Sequence, residues 1–188
     1  DLARSLSRAG VVVVSGLALG IDGAAHQGAL EGASPTVAVV AGSVERPTPR
    51  SHAGLAQQIL RQGGVLIAEH PPGTKVRPFQ FPIRNRILAG LARGVVLVEA
   101  ADRSGALHTV DWTVELGRTV MVVPGPIDRP TCRGSNRLLR DGGVPILEVQ
   151  DVLDVLGLGQ VGWTPPDVQE MTRWLASIGL DSDSVRVW

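Results

Sequence analysis

Val11-Val12-Val13-Val14-Ser15-Gly16-Leu17-Ala18-Leu19-Gly20-Ile21-Asp22 is the stretch whose reading decides the fold. Four consecutive β-branched residues predict a strand buried on both faces. Gly16 and Gly20 then predict a turn into a helix that carries Ile21, Ala24, Ala25, Ala29 and Leu30. Outward from this unit the pattern recurs. Strands are predicted over 36–40, 65–68, 95–99, 120–123 and 144–147, and helices over 52–61, from Pro82 onward, and over 106–116, 136–140 and 149–156. An opening helix carries Leu2, Leu6 and Ala9. Alternation of this kind implies an α/β fold: a Rossmann-like, doubly wound, mostly parallel sheet with right-handed crossovers and helices on both faces. Ligands of such sheets sit beyond the carboxyl ends of the strands, which directs attention to the loops after Val14, Ala68, Glu99 and Val123.

At 188 residues, 44% of them apolar, the chain can bury a real core. We assign 1–157 to one domain and 158–188 to a linker and a short C-terminal piece with Val168, Met171, Trp174, Leu175 and Ile178. The start inside a helix points to a trimmed chain. Lys+Arg and Asp+Glu balance at 18 each, but the balance is uneven along the chain. Counted to Leu147 there are 16 cations against 11 acids, and from Glu148 onward 2 against 7. His70 to Val98 holds Lys75, Arg77, Arg84, Arg86 and Arg93 with no acid, as a surface for anions requires. A single cysteine, Cys132, fits a reducing compartment. No apolar run reaches transmembrane length and no signal-peptide pattern opens the chain, so we expect a cytoplasmic protein away from membranes.

Four constellations could carry the function. The loop Ser15 to Asp22 is either a phosphate cradle, through backbone N–H groups around Gly16 and Gly20, or a tight turn that needs glycine. It lacks the spacing of a dinucleotide fingerprint and the Lys-Ser/Thr of a P-loop. In Phe79-Gln80-Phe81-Pro82-Ile83-Arg84-Asn85-Arg86, Pro78 and Pro82 bracket a segment read as extended, with Phe79 and Phe81 on one side and Pro82 opening a helix. Arg84 and Arg86 then lie in a first helical turn, where the helix dipole disfavours cations unless an anion is near. Arg103-Ser104-Gly105 and Gly134-Ser135-Asn136 are further loop-to-helix transitions with arginines beside them. A row of helix starts along one sheet edge suits an extended polyanion, and flat aromatic faces beside cations suit a nucleic acid. No metal-ligand pair, nucleophile elbow or cysteine pair occurs, so neither a metal nor a cofactor is expected. The rival is a nucleotide or nucleoside-phosphate hydrolase using Glu99 or Asp102 as acid/base.

These loops resemble the DNA processing protein A family, also called Smf. The matching stretches are Ser15 through His26, Glu69-His70-Pro71-Pro72-Gly73, Phe81-Pro82-Ile83-Arg84-Asn85-Arg86-Ile87, Glu99-Ala100 with Arg103-Ser104-Gly105-Ala106-Leu107, and Pro124-Gly125 with Gly134-Ser135-Asn136-Arg137-Leu138. The resemblance implies an extended Rossmann domain that binds single-stranded DNA without catalysis, forms a homodimer and loads RecA recombinase in natural transformation. It further implies that Phe79 or Phe81 stacks on or walls the pocket, that Arg84, Arg86 and Arg103 hold phosphates, and that helix starts at Gly105 and Gly134 add backbone donors, with Asn85 beside them. The family's first strand, its Gly-Ser-Arg loop and an N-terminal helical domain would precede Asp1. Where the family has Cys-Gly and Tyr-Pro after the second strand, this chain reads Ala41-Gly42-Ser43-Val44-Glu45-Arg46-Pro47-Thr48-Pro49-Arg50. Family dimers use the far end of this domain, which points to the helix with Val149, Val152, Leu153 and Leu156, and 158–188 would be part of a winged-helix-like domain.

Overall fold

The computed structural model describes residues 1–158; the C-terminal piece assigned from sequence lies almost wholly outside them. Six strands and seven α-helices alternate: α1 Leu2–Arg8, β1 Val13–Ser15, α2 Ile21–Leu30, β2 Thr36–Val40, α3 Ala53–Arg61, β3 Val65–Ala68, α4 Gln80–Leu91, β4 Gly94–Leu97, α5 Ala106–Glu115, β5 Thr119–Val122, α6 Arg133–Arg140, β6 Val144–Pro145 and α7 Val149–Val155. The strands form two parallel ladders of three, β1-β2-β3 and β4-β5-β6. Val14 sits opposite Val37 and Ala38 opposite Leu66 in the first, and Val96 opposite Met121 in the second. Within each ladder consecutive strands are parallel neighbours, so every connection there is a crossover carrying a helix.

Central strands are buried and edge strands are not, which corrects the first sequence reading. Ala38, Val39 and Val40 of β2 are covered, whereas Val12 is exposed and β1 is half-buried, because β1 pairs on one side only. Both faces of the ladders carry helices. Ala38 and Val40 pack with Leu55, Ala56 and Ile59 of α3. In the second ladder Met121 packs with Leu6, Ile146 and Val152, while Leu97 packs with Ala100 and Val110. Val96 and Leu97 therefore face opposite layers, as the period of two demands.

Two helices join the halves. On α1, Leu6 enters the Met121 cluster, while the next residue, Ser7, donates from Oγ to Ala29 O at 2.8 Å and accepts from Ser34 N at 3.0 Å. On α4, Arg84 reaches into the first half and Asn85 into the second, as described below. The helix α7 that the sequence offered as a dimer surface is turned inward instead. Val152 is buried, and Val149, Leu153 and Leu156 pack against the same cluster as Met121 and Leu6.

Candidate nucleic-acid interface

The loop after β1 is satisfied from within. Asp22 Oδ2 accepts from Gly16 N at 3.1 Å and Ala18 N at 3.2 Å. His52 Nδ1 donates to Leu17 O at 2.8 Å, with its ring against Gly23, where a Cβ would stand 2.7 Å from the imidazole. Leu17 is fully buried at φ 60°, a conformation that costs a non-glycine residue of order 1–3 kcal/mol and persists because packing and the His52 bond hold it. Gly20, at φ 84°, supplies the turn that a side chain would oppose. Of the two sequence readings, phosphate cradle and tight turn, the geometry of Gly16 and Gly20 matches the turn.

Next comes α4. Its helix opens two residues before Pro82, at Gln80, whose side-chain Oε1 accepts from Arg77 N at 2.6 Å. Pro82 is then the third helical residue, where its missing N–H is one of the four that no carbonyl would meet. Phe79 adopts helical φ/ψ, so Phe79 and Phe81 diverge by about 200° rather than sharing a side. Phe79 is 58% exposed, and Phe81 is half-buried.

The polar residues after Pro82 point to the protein itself. Arg84 is only 6% exposed and donates from one guanidinium nitrogen to Gly16 O at 2.8 Å and to Val39 O. Gly16 must be glycine for that approach, because a Cβ would lie 2.6 Å from the guanidinium. Burial lowers the Arg84 pKa from its ordinary value, and nearby Asp22 opposes the shift. Asn85 accepts from Arg84 Nε at 3.2 Å and donates to Gly105 O at 3.2 Å. Arg86 pairs with Glu69 at the end of β3. With α4 opening at Gln80, Arg84 and Arg86 are its fifth and seventh residues and not first-turn cations as the sequence suggested, and the anions near them, Glu69 and Asp22, are the protein's own. The other end of α4 follows the dipole: Arg118 donates to the carbonyls of Ala89, Gly90 and Ala92.

The two remaining helix starts divide. At α5, Ser104 Oγ accepts from Ala106 N at 3.3 Å, Gly105 is exposed, and the Arg103 side chain is exposed and forms no ion pair among the described residues. At α6 the helix opens at Arg133, behind a turn of 3₁₀ helix over Pro130–Cys132, so Gly134, Ser135 and Asn136 lie inside its first turn. Ser135 N donates to Ala100 O at 3.0 Å and Ser135 Oγ to Cys132 O at 3.0 Å. A Cβ on Gly134 would come within 2.5 Å of Ala101 O. Asn136 clamps Gly125 through both its backbone groups, accepting from N at 3.1 Å and donating to O at 3.0 Å. Gly134 and Ser135 therefore press α6 onto the loop after β4, and the Ser135 amide is turned to Ala100 O and not outward.

These bonds tie the loops into one edge. Glu69–Arg86 joins the β3 loop to α4, Asn85–Gly105 joins α4 to the β4 loop, and Arg137–Asp102 at 3.3 Å joins the β4 loop to α6. The groups left facing water are different residues. Lys75, Arg77, Arg103, Arg129 and Arg133 are exposed, and their side chains form no ion pair among the described residues. Beside them Leu19 is 69% exposed on the β1 loop and Ile127 91% on the β5 loop. Neither was a sequence candidate; the signal was an apolar residue at a loop tip between turn formers, as in Pro126-Ile127-Asp128. Among the described residues no group of three His, Cys, Asp or Glu is placed to hold a metal, and no helix is long and apolar enough to cross a membrane.

Beneath the edge, His26 is fully buried. Thr36 Oγ1 donates to Val13 O at 2.7 Å, so it accepts from His26 Nδ1 at 2.9 Å, which leaves Nε2 without a partner. Burial lowers its pKa from 6.5 to about 4, with Asp22 opposing the shift. A folded-state value below the unfolded one means that this stability is complete above pH 6.5 and is lost as pH falls toward 4. The difference corresponds to roughly 3 kcal/mol. Denaturant titrations at pH 7 and pH 4 should show His26→Asn losing about that much less than the parent on acidification.

Comparison with known proteins agrees with this architecture. The family model for DNA recombination-mediator protein A matches residues 1–157. Protein Smf of Escherichia coli K12 is 42% identical over 189 residues, covering 94% of this chain and 50% of that protein. The chain thus spans about half the length of the curated relatives it matches. The X-ray structure of DNA processing protein A from Streptococcus pneumoniae superposes with a TM-score of 0.75 at 38% identity, over 81% of this chain and 53% of that one. DNA processing protein A from Helicobacter pylori, whose structure describes a single-stranded DNA binding mode, gives a TM-score of 0.70 at 25% identity, over 82% and 70%.

Proposed function

We propose, from the premise that this chain belongs to the DNA recombination-mediator protein A family, that its cationic sheet edge binds single-stranded DNA. The observation that carries the reading is the division of labour along that edge. Most motif polar groups close the loops on one another, while Arg103 of the motifs and four cations outside the matching stretches, Lys75, Arg77, Arg129 and Arg133, face water beside exposed Phe79. Unpaired cations attract phosphates whatever the sequence, and an exposed aromatic face accepts any base, so binding should be strong in low salt and weak in sequence preference. The H. pylori relative described by its single-strand binding mode supports the same ligand.

As a recombination mediator, the protein would bind single strands without catalysis in the cytoplasm during natural transformation and pass them to RecA recombinase as a homodimer. Since the apolar side of α7 is spent on the core, we place self-association at the C-terminal end of α5, where Trp112 and, just past the helix, Leu116 are exposed four residues apart and so on one face. The deciding experiment is a titration of a labelled single strand at two salt concentrations. Phe79→Ala should weaken binding by about 1–3 kcal/mol with no change in salt slope, the cost of one lost stacking surface. Equal affinity of the two proteins would remove Phe79 from the site, and an absence of salt-dependent binding by the parent would remove the function.

A further inference from the structure

Helix α4 is apolar on its outside as well as its inside. Arg84, Asn85 and Ala89 are buried, and on the other side Phe79, Ile83, Ile87 and Leu91 follow one another every fourth residue, in one stripe. The charge beside the stripe, Arg86, is paired with Glu69. A helix that is hydrophobic all round is a buried helix, whereas one at a protein surface turns polar residues to the water. The described residues nevertheless leave Ile83 43% and Leu91 49% exposed.

The chain leaves the described residues at the foot of that stripe. Leu156, just past α7, meets Gly94, where a Cβ would stand 3.0 Å from its side chain, and Gly94 lies three residues beyond Leu91. Next in the sequence come Gly159, Gly162, Pro165 and Pro166, and then a segment with helical signals of its own. Asp167 and Glu170 have the spacing of a capping box, Val168, Met171, Leu175 and Ile178 recur every three or four residues, and Gly179 is a stop.

We propose that residues 167–179, which lie outside the described residues, dock as an amphipathic helix on the stripe of Ile83, Ile87 and Leu91, antiparallel to α4. The lengths agree: a helix from Val168 to Ile178 is about 15 Å long, and the stripe from Ile83 to Leu91 about 12 Å. α7 lies in the layer opposite α4, which packs beside α5, and the linker 159–166 reaches roughly 25 Å, enough to round the lower edge of the sheet. The charges agree at both ends. His70 to Val98 holds cations and no acid, and the antiparallel course brings Asp167 and Glu170 to exposed Arg93, and Asp181 and Asp183 to Lys75 and Arg77. Because the segment is tethered, its effective concentration at α4 exceeds that of a second copy in dilute solution. The docking holds whatever polymer binds the edge.

The test is disulfide trapping in the full 188-residue chain, whose native Cys132 is buried. Ile87→Cys with Leu175→Cys, treated with oxidised glutathione, should form an intramolecular disulfide about tenfold faster or more than Gly54→Cys with Leu175→Cys. Gly54 is exposed on α3, outside the proposed contact. A second readout needs no new cysteine: in ¹⁵N spectra Leu175→Glu should shift the amides of Ile83, Ile87 and Leu91 and leave those of α3 in place. Trapping no faster than in the control pair, or a disulfide that joins two chains, would overturn the proposal, as would unmoved α4 amides in the Leu175→Glu protein.

Discussion

Arg84→Ala should lower the free energy of unfolding by about 3–5 kcal/mol and leave the salt dependence of single-strand binding unaltered. Both halves of this expectation follow from where the guanidinium lies. It is buried against Gly16, donating to Gly16 O and Val39 O, and its neighbour Asn85 accepts from its Nε. Truncation leaves two buried carbonyls without a donor, each costing about 1–3 kcal/mol, opens a cavity, and leaves Asp22 without its nearby cation. Arg84→Lys should recover only part of the loss, because an ammonium cannot reproduce the planar fork. Denaturant unfolding measures the first half. For the second, binding of the folded variant at several salt concentrations gives the slope of log K. A slope lower by about 0.7 with stability intact would make Arg84 a phosphate ligand after all.

The combined variant Lys75→Ala, Arg77→Ala and Arg103→Ala should behave in the opposite way. These side chains are exposed and form no ion pair among the described residues, so stability should stay within about 0.5 kcal/mol of the parent. Each phosphate contact contributes about 0.7 to the slope of log K against log salt on a single strand. Three lost contacts should lower the slope by roughly 2, which at 0.1 M salt corresponds to about a hundredfold weaker binding. Arg86→Ala should change binding much less, since Arg86 is paired with Glu69 on a partly exposed surface. Unchanged slope in the triple variant would move the DNA path off this part of the edge.

How far the sequence was legible depends on the range over which each feature is decided. The β-branched run before Gly16, the period of the apolar residues on α2 and α3, and the alternation of strand and helix are local, and they led to the observed ladders. Helix starts were less legible. The chain enters α4 at Gln80, where the Gln80 side chain holds Arg77 N, and enters α6 at Arg133 from a 3₁₀ turn, so both helices begin before the residues that composition favours. These shifts separate Phe79 from Phe81 and draw Gly134, Ser135 and Asn136 into a packed first turn.

By itself, then, the sequence determined the fold class, the family, and the edge of the sheet on which function is sought, because hydrophobic period and turn chemistry act between near neighbours. Only the tertiary structure decided which charged and polar residues on that edge remain for a ligand. Arg84, Asn85 and Asn136 look available in the chain, but they are spent on the backbone of Gly16, Gly105 and Gly125, which are 68, 20 and 11 residues away. Lys75, Arg77, Arg103 and Phe79 face water because no partner among the described residues reaches them. Exposure and partner choice are set by long-range packing, and no local pattern encodes them.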